Sequence, residues 1–412
     1  RFSTKGTLAA MLAHSVFPHL VINQVASAWS ASPSLTQKRR IKGPLSLAPE
    51  NQENGSTLYT SADMTDSMRH ESEMEMKKVT EMFQVKNNAQ SSPLLIHTQD
   101  QLASYMSSNQ IQNYLFDCDG VLYRGTDSMP CASQTIQSLL KSGKRVFFVK
   151  NNAASSRMQL KQKLEQVLKC PKDLLKEDMM IGSAYVAARY LSSRLLKENN
   201  NARRVHVIGT SGLCRELQSA GFDISGGPDS IDTPCGMSRD ELAAYPFPEG
   251  EIDAMVIGLD NDFNYRKLCI ATVLLQRNPD AILVATNRDA YDLVGHDARH
   301  LPGNGAQVSA VETASGRTAI NVGKPSSVLA NWMMEEYNLK GEETMMVGDR
   351  LDTDVKFGNR GGMKSSALVL TGCTTAKEIE ELILMEENNA GGERFQGMMP
   401  TVIFPHVGYM SK

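Results

Sequence analysis

The chain has 412 residues and a formal net charge of −3 at pH 7, with a sequence pI of about 6.3. This length allows two domains with separate cores, and the weak charge argues against a broadly basic nucleic-acid-binding surface. Seven cysteines without C-x-x-C or metal-finger spacing indicate free thiols in a reducing compartment. Because no apolar run reaches about 18 residues, we expect no membrane span in the mature protein.

Residues 1–49 have the composition of a targeting presequence, since they contain basic residues but no Asp or Glu. A mildly apolar stretch at 7–22 precedes Ala26-Ser27-Ala28, a small-residue cleavage pattern followed by Trp29. This two-part address resembles plastid presequences of diatoms and related algae. A mitochondrial or cytoplasmic location is the alternative. Because the chain begins with Arg1, we expect a fragment of a longer precursor.

Residues 50–90 are polar and acidic with spaced methionines, which predicts a disordered linker, or else a short helix with a methionine face. The folded part is predicted to begin at 91. Its first helix covers 98–107, with Thr98 as N-cap and Gln101 completing a capping box.

A buried strand at 114–116 ends at Asp117 and Asp119, with Gly120 after them. The two acids alternate along an extended backbone, so their side chains fall on the same side. Ligands gather where parallel strands end, and two adjacent carboxylates repel each other unless a cation lies between them. This pattern predicts a Mg²⁺ site, because Mg²⁺ prefers a few carboxylates, water and phosphate.

Alternating helices and strands follow, which is typical of a doubly wound parallel sheet. The predicted elements up to residue 168 are a helix at 130–142, a strand at 145–149 ending in Lys150-Asn151-Asn152, and a helix to 168. A second α/β set has strands at 204–208, 254–257 and 281–286, helices at 212–220 and 265–276, and a surface loop at 225–247. The last predicted strands are 320–324, ending in Lys324, then 344–347, followed by Gly348-Asp349 and Asp354, and finally 367–370.

The motif Asp117-x-Asp119-Gly120-Val121 resembles the first motif of haloacid dehalogenase-superfamily phosphatases. Its continuation to Gly125 is similar to the branch that contains 4-nitrophenyl phosphatases and phosphoglycolate phosphatases. The resemblance implies an α/β fold, a doubly wound parallel sheet core with an inserted α/β cap of the C2 type. The core then comprises 91–192 and 319–412, and the cap comprises 193–318.

The resemblance also implies Mg²⁺-dependent hydrolysis of small phosphate monoesters. Asp117 would be the nucleophile that forms an aspartyl-phosphate, and Asp119 the general acid and base. The Asp117 carboxylate, the Asp119 backbone carbonyl and the Asp349 carboxylate would bind Mg²⁺. Lys324 would hold nucleophile and phosphate together, and Asp354 would support a metal-bound water or Lys324.

The second motif departs from the family pattern, because Lys150 stands where a Ser or Thr is usual, while Asn151 and Asn152 match. We expect all three to bind phosphate, Lys150 as a point charge. Lys150 could instead pair with Asp117 and weaken the nucleophile. The alternatives are therefore a phosphoglycolate phosphatase, a broad 4-nitrophenyl-phosphatase-like enzyme, and a non-catalytic relative that binds a phosphorylated metabolite.

The cap loop 287–302 is expected to select the substrate. Asp292 stands where pyridoxal phosphatases of the family place a His, which argues against pyridoxal phosphate and favours 2-phosphoglycolate in a plastid. Four basic residues are candidates for its carboxylate: Arg288, His296, Arg299 and His300. The resemblance also implies a homodimer formed through the cap.

Overall fold

The structure is a computed structural model that describes residues 61–85, 92–195, 203–228, 238–294, 299–388 and 392–411. The predicted presequence, 1–49, lies outside the described residues. Thirteen α-helices are present in the described ranges. They are α1 (Ser61–Val85), α2 (Gln99–Ser108), α3 (Ala132–Lys141), α4 (Arg157–Leu168), α5 (Ser183–Leu195), α6 (Ser211–Ser219), α7 (Arg239–Ala244), α8 (Tyr265–Arg277), α9 (Asn304–Ser315), α10 (Ser327–Glu336), α11 (Lys356–Arg360), α12 (Ala376–Glu387) and α13 (Gly392–Phe395).

The same ranges contain sixteen strands, in three groups. The core sheet has β1 (Leu94–Leu95), β2 (Asn113–Phe116), β5 (Arg145–Lys150), β6 (Met180–Gly182), β14 (Thr344–Gly348), β15 (Ser365–Val369) and β16 (Val402–Phe404). The cap sheet has β7 (Arg204–Ile208), β8 (Asp223–Gly226), β9 (Ala254–Ile257), β10 (Ile282–Ala285) and β13 (Ile320–Asn321). The hairpins are β3 (Tyr123–Arg124) with β4 (Asp127–Ser128), and β11 (Tyr291–Val294) with β12 (Arg299–Pro302).

The core sheet has the order β1-β16-β15-β14-β2-β5-β6, and every neighbouring pair is parallel. The central strand β2 is buried along its length, as its apolar run predicts. Tyr114 and Phe116 pack into one hydrophobic cluster and Leu115 into another, because successive side chains face opposite sides of a sheet. Helices therefore cover both faces, and the predicted doubly wound parallel core is confirmed.

The cap sheet is also parallel, in the order β13-β10-β9-β7-β8. Helices α8 and α9 pack against one face, while the other shares a hydrophobic cluster with α5, α6 and the core. The strand predicted to open the second core segment at 319 lies in the cap sheet instead, where Val284 pairs with Ile320. Hydrogen bonding to β10 accounts for this difference, and the chain returns to the core only after Asn321.

The predicted disordered linker at 50–90 is wrong for residues 61–85, which form helix α1. Met68, Met76 and Val79 are buried, and the last two pack with α12. This apolar stripe stabilises the helix by tertiary packing, which composition alone does not reveal. The Glu75 carboxylate also accepts a hydrogen bond of 3.0 Å from the Ala376 backbone N–H.

Two local predictions have clear outcomes. The capping box of α2 is confirmed, with Thr98 accepting from the Gln101 backbone N–H and the Gln101 side chain accepting in return. The range predicted as a surface loop, 225–247, also contains regular structure, namely the end of β8 and helix α7.

Among the described helices, none combines the length and apolar character needed to cross a membrane.

His206 should make the cap's stability depend on pH. Its side chain lies in β7 with Nδ1 3.1 Å from Ser225 Oγ, and burial lowers its pKa from 6.5 to about 4. Because the folded-state pKa lies below the unfolded one, the stabilisation is complete above pH 6.5 and is lost as pH falls toward 4. The difference corresponds to about 3 kcal/mol of unfolding free energy. Chemical denaturation of His206→Gln between pH 7.5 and 4 should show a flatter pH profile than wild type.

The matched control is His97→Gln, because His97 is exposed. That variant should keep the wild-type pH profile. Equal profiles for wild type and His206→Gln would contradict the assignment of the pH dependence to His206.

Candidate active site

The predicted site residues lie together at the carboxyl edge of the core sheet. Asp117 follows β2, Lys150 ends the neighbouring strand β5, and Asp349 follows β14 on the other side. The register pairs Phe116 with both Phe148 and Val347, so these three strands end at nearly the same level. Parallel pairing thus collects side chains that lie far apart in the sequence.

Lys324 links two of the acids. Its ammonium lies 2.5 Å from Asp117 Oδ1, 2.7 Å from Asp354 Oδ1 and 2.8 Å from the Val149 carbonyl oxygen. The side chain is only 2% exposed. The buried ammonium donates to Asp117 and to the Val149 carbonyl oxygen and forms an ion pair with Asp354, which together fix the orientation of Asp117. Of the two partners suggested for Asp354, the structure shows Lys324.

Asp117, Asp349 and Asp354 form an acidic cluster in which one carboxylate oxygen of each lies within 4.8 Å of the others. Burial raises the pKa of Asp117 well above its usual range, against the charge of Lys324, and the two other acids add to the increase. Burial, followed by the charge of Asp354, raises the pKa of Asp349 to about 7. One lysine does not compensate two buried carboxylates and a half-buried one, so the donor set fits an additional hard divalent cation.

Two glycines make room for the Asp349 carboxylate. A Cβ atom added at Gly120 or at Gly372 would overlap Asp349, and Gly120 also has a positive φ of 80°. One Asp349 oxygen, Oδ2, accepts a hydrogen bond of 2.7 Å from the Cys373 backbone N–H. The backbone therefore forms a close cradle around this carboxylate, which supports the same interpretation of the donor set.

Asp119 has different neighbours from Asp117. Its Oδ2 atom lies 2.6 Å from Lys150 Nζ and accepts a hydrogen bond of 3.3 Å from the Tyr123 hydroxyl. Partial desolvation raises the pKa of Asp119, but the charge of Lys150 outweighs it and holds this pKa below its usual value. Lys150 thus pairs with Asp119, and the alternative pairing with Asp117 is not the one observed.

Asn151 and Asn152 have unequal surroundings. The Asn151 side chain accepts from the Lys324 backbone N–H at 2.7 Å and donates to Asp289 Oδ1 at 2.9 Å, so it ties the core site to the cap. Asn152 Oδ1 accepts from the Ala154 backbone N–H at 2.7 Å, which is a local turn contact. A role for either residue in phosphate binding stays a prediction.

The four cap residues expected to bind a substrate carboxylate differ in their surroundings. Arg288 pairs with Glu312 and donates to the Ala319 carbonyl oxygen, so its guanidinium is already engaged within the cap, and a role in binding a substrate carboxylate stays a prediction. His300 stacks on Tyr291 with 4.1 Å between ring centroids. Arg299 lies in β12 beside them, and His296 lies outside the described residues.

Sequence patterns did not single out Tyr123, Asp289 or Arg350. Arg350 donates to the Tyr291 carbonyl oxygen at 3.4 Å, so a core loop contacts the cap hairpin. Burial raises the pKa of Asp289 to about 6. For two of these residues, the position in the sequence is the signal that points to the site. Arg350 follows Asp349 directly, and Tyr123 comes shortly after the first acidic pair.

Two family models match this chain. A model described as haloacid dehalogenase-like hydrolase matches residues 114–223, and one described as HAD-hydrolase-like matches residues 321–390. The two matches contain all eight predicted site residues and lie on either side of most of the cap.

Curated relatives cover the same region. The chain is 34% identical over 272 residues to phosphoglycolate phosphatase 1A, chloroplastic, of Arabidopsis thaliana, covering 66% of this chain and 72% of the relative. It is 38% identical over 271 residues to glycerol-3-phosphate phosphatase of Gallus gallus, covering 65% of this chain and 82% of the relative. Among solved structures, p-nitrophenyl phosphatase from Archaeoglobus fulgidus aligns with a TM-score of 0.57 and 25% identity, over 73% of this chain and 98% of that one.

Proposed function

This chain belongs to the haloacid dehalogenase-like hydrolases and is a phosphoric monoester hydrolase, and from that premise we propose that it hydrolyses 2-phosphoglycolate with Mg²⁺ in a plastid. The central observation is the buried contact between Lys324 and Asp117, at 2.5 Å, beside Asp349. This contact orients the Asp117 carboxylate at the edge of the core sheet, where a phosphoryl group would lie.

Asp117 supplies the nucleophile. One carboxylate oxygen attacks phosphorus in line, the bond from phosphorus to the alcohol oxygen breaks, and an aspartyl-phosphate forms. For Asp119 to give a proton to the departing oxygen, the bound ester has to raise the pKa of this carboxyl against the charge of Lys150. Lys324 keeps Asp117 in position during the attack. In the second half, Asp119 takes a proton from a water molecule, which attacks phosphorus and releases phosphate and the free Asp117 carboxylate.

The residues that would hold Mg²⁺ are Asp117, Asp349 and the backbone carbonyl of Asp119, with Asp354 retained by Lys324. When bound, the ion offsets the charge of the attacking carboxylate and of the phosphoryl oxygens. The Asp354 carboxylate also accepts hydrogen bonds of 3.1 Å from the Asp349 and Arg350 backbone N–H groups, which orients this loop.

The choice of substrate and location is supported by the name of the chloroplastic Arabidopsis relative and by the composition of residues 1–49. Glycerol 3-phosphate is the second candidate, because the chicken relative carries that name. A homodimer formed through the cap stays a prediction, which analytical ultracentrifugation would test.

Steady-state turnover of purified protein tests the proposal with 2-phosphoglycolate, glycerol 3-phosphate, 4-nitrophenyl phosphate and pyridoxal phosphate. We expect the highest kcat/KM for 2-phosphoglycolate, loss of activity on chelation, and recovery on adding Mg²⁺. A higher kcat/KM for glycerol 3-phosphate would overturn the substrate choice, and full activity after exhaustive chelation would overturn the metal.

Gly372→Ala should weaken Mg²⁺ binding, because the added Cβ would overlap the Asp349 carboxylate. We expect the half-saturating Mg²⁺ concentration to rise by roughly tenfold, since overpacking at such a site costs about 1–3 kcal/mol. Gly182→Ala is the control, because an added Cβ there meets nothing within 4 Å. Unchanged Mg²⁺ dependence in Gly372→Ala would contradict the role of Asp349.

A further inference from the structure

A second cationic group lies beside Asp119, separate from Lys324. Lys150 Nζ is 2.6 Å from Asp119 Oδ2 and donates to the Tyr123 hydroxyl at 3.1 Å. Lys163 Nζ lies over the Tyr123 ring, 4.1 Å from its centroid. Burial, together with the nearby charge of Lys150, lowers the pKa of Lys163 even though Asp119 opposes it. The two lysine charges are thus close enough to act on each other.

The two cationic groups serve different ends of a bound ester. Lys324 contacts the nucleophile, at 2.5 Å from Asp117, and lies on the side of the transferred phosphoryl group. Lys150 contacts Asp119, which gives its proton to the departing alcohol. A charge beside Asp119 therefore faces the alcohol part of the substrate.

Lys150 has capacity for a further acceptor. A lysine ammonium carries three N–H donors, and Asp119 and Tyr123 take two of them. The Asp119 side chain is 55% exposed and that of Lys150 is 15% exposed, so the pair opens toward solvent rather than being sealed in the core. An anion arriving beside Asp119 can reach the ammonium.

We propose that Lys150, supported by Lys163 over the Tyr123 ring, forms an anion subsite that binds a carboxylate on the alcohol part of the substrate. This inference rests on the proposed function and names the class of ester that the site selects. It moves the expected carboxylate-binding role from the cap residue Arg288, which is paired with Glu312, to the core.

Neighbouring charges favour a carboxylate over a second phosphoryl group. Asp292 of the cap hairpin also acts electrostatically on Asp119 and Lys150, although Arg350 is its stronger cationic neighbour. A group carrying two negative charges would lie near both Asp119 and Asp292. A carboxylate brings one charge and can accept from the remaining Lys150 donor.

The test compares two substrates of nearly the same shape, 2-phosphoglycolate and its amide, 2-phosphoglycolamide. Wild type should prefer the carboxylate, and Lys150→Gln should reduce the ratio of the two kcat/KM values by roughly tenfold or more, as expected for loss of a charge-assisted hydrogen bond. The effect should be mainly in KM. Lys150→Arg should retain most of the preference, and Lys163→Gln should lower it by a smaller factor.

The ratio of the two kcat/KM values separates failure of the anion subsite from failure of the proposed substrate. If wild type hydrolyses 2-phosphoglycolate but Lys150→Gln keeps the wild-type ratio, the subsite is overturned and the proposed function stands. If wild type hydrolyses neither compound but does hydrolyse glycerol 3-phosphate, the proposed substrate itself fails. Lys141→Gln, on the exposed end of α3, controls for loss of a lysine elsewhere and should keep the ratio. Circular dichroism of Lys150→Gln checks folding, and Lys163→Gln provides an independent variant.

Discussion

Replacing Asp117 by Asn is expected to lower kcat by at least about a thousandfold, since an amide cannot form the acyl phosphate that a carboxylate forms. The fold should survive, because Lys324 keeps its 2.7 Å ion pair with Asp354. Removing one of three clustered carboxylates also relieves mutual repulsion. Turnover of 2-phosphoglycolate and acid-quench trapping of radiolabelled phosphate on the protein measure the two consequences.

The matched control is Asp280→Asn, because Asp280 is an exposed acid in the cap. It should retain wild-type turnover and labelling. If Asp117→Asn kept kcat within about tenfold of wild type, or still trapped labelled phosphate, Asp117 would not be the nucleophile.

Lys324→Met should have the largest effect on stability. The ammonium is the buried partner of both Asp117 and Asp354, and its loss leaves two carboxylates without compensation. Breaking a buried ion pair in this way costs about 3–5 kcal/mol of unfolding free energy. Activity should fall as well, because Asp117 loses the contact that orients it. Urea denaturation and steady-state kinetics measure both changes.

A double variant separates charge from packing. Lys324→Met combined with Asp354→Asn removes one uncompensated charge and should regain part of the lost stability without regaining activity. Lys340→Met is the control, because Lys340 pairs with Glu343 at the surface, with a side chain that is 64% exposed. Its unfolding transition should match wild type. A single Lys324→Met variant as stable as wild type would contradict the argument.

Much of the core could be predicted because its determinants are local. Lys324 follows a strand of the cap sheet, whereas the apolar strand before Asp117 belongs to the core sheet and stops at the acids. Lys150 ends the neighbouring core strand, and Asp349 and Asp354 follow a third. Parallel pairing then brings these ends together, so strand assignments alone predict their proximity. The spacing of motifs along the chain carries this information without any side-chain coordinates.

Other features depend on tertiary contacts that composition does not encode. The segment 320–321 is only two residues long in β13, and its partner could be chosen only by the three-dimensional path of the chain. The same applies to Lys150, whose charge could reach either Asp117 or Asp119 from the end of β5. Helix α1 is polar overall, so only its packing on α12 distinguishes it from a linker.

Helix α1 also gives the polypeptide ahead of the family-matched region a part in the active site's architecture. The Glu75 carboxylate accepts a hydrogen bond from the backbone N–H of Ala376, the first residue of α12. The Arg124 guanidinium lies 3.5 Å from the Glu71 carboxylate and donates to the Thr371 carbonyl oxygen at 2.8 Å. Thr371 and Gly372 begin the loop that encloses Asp349. A shortened chain starting at residue 92 would therefore lose the outer support of that loop and expose the apolar side of α12, so this truncation would weaken the surroundings of Asp349.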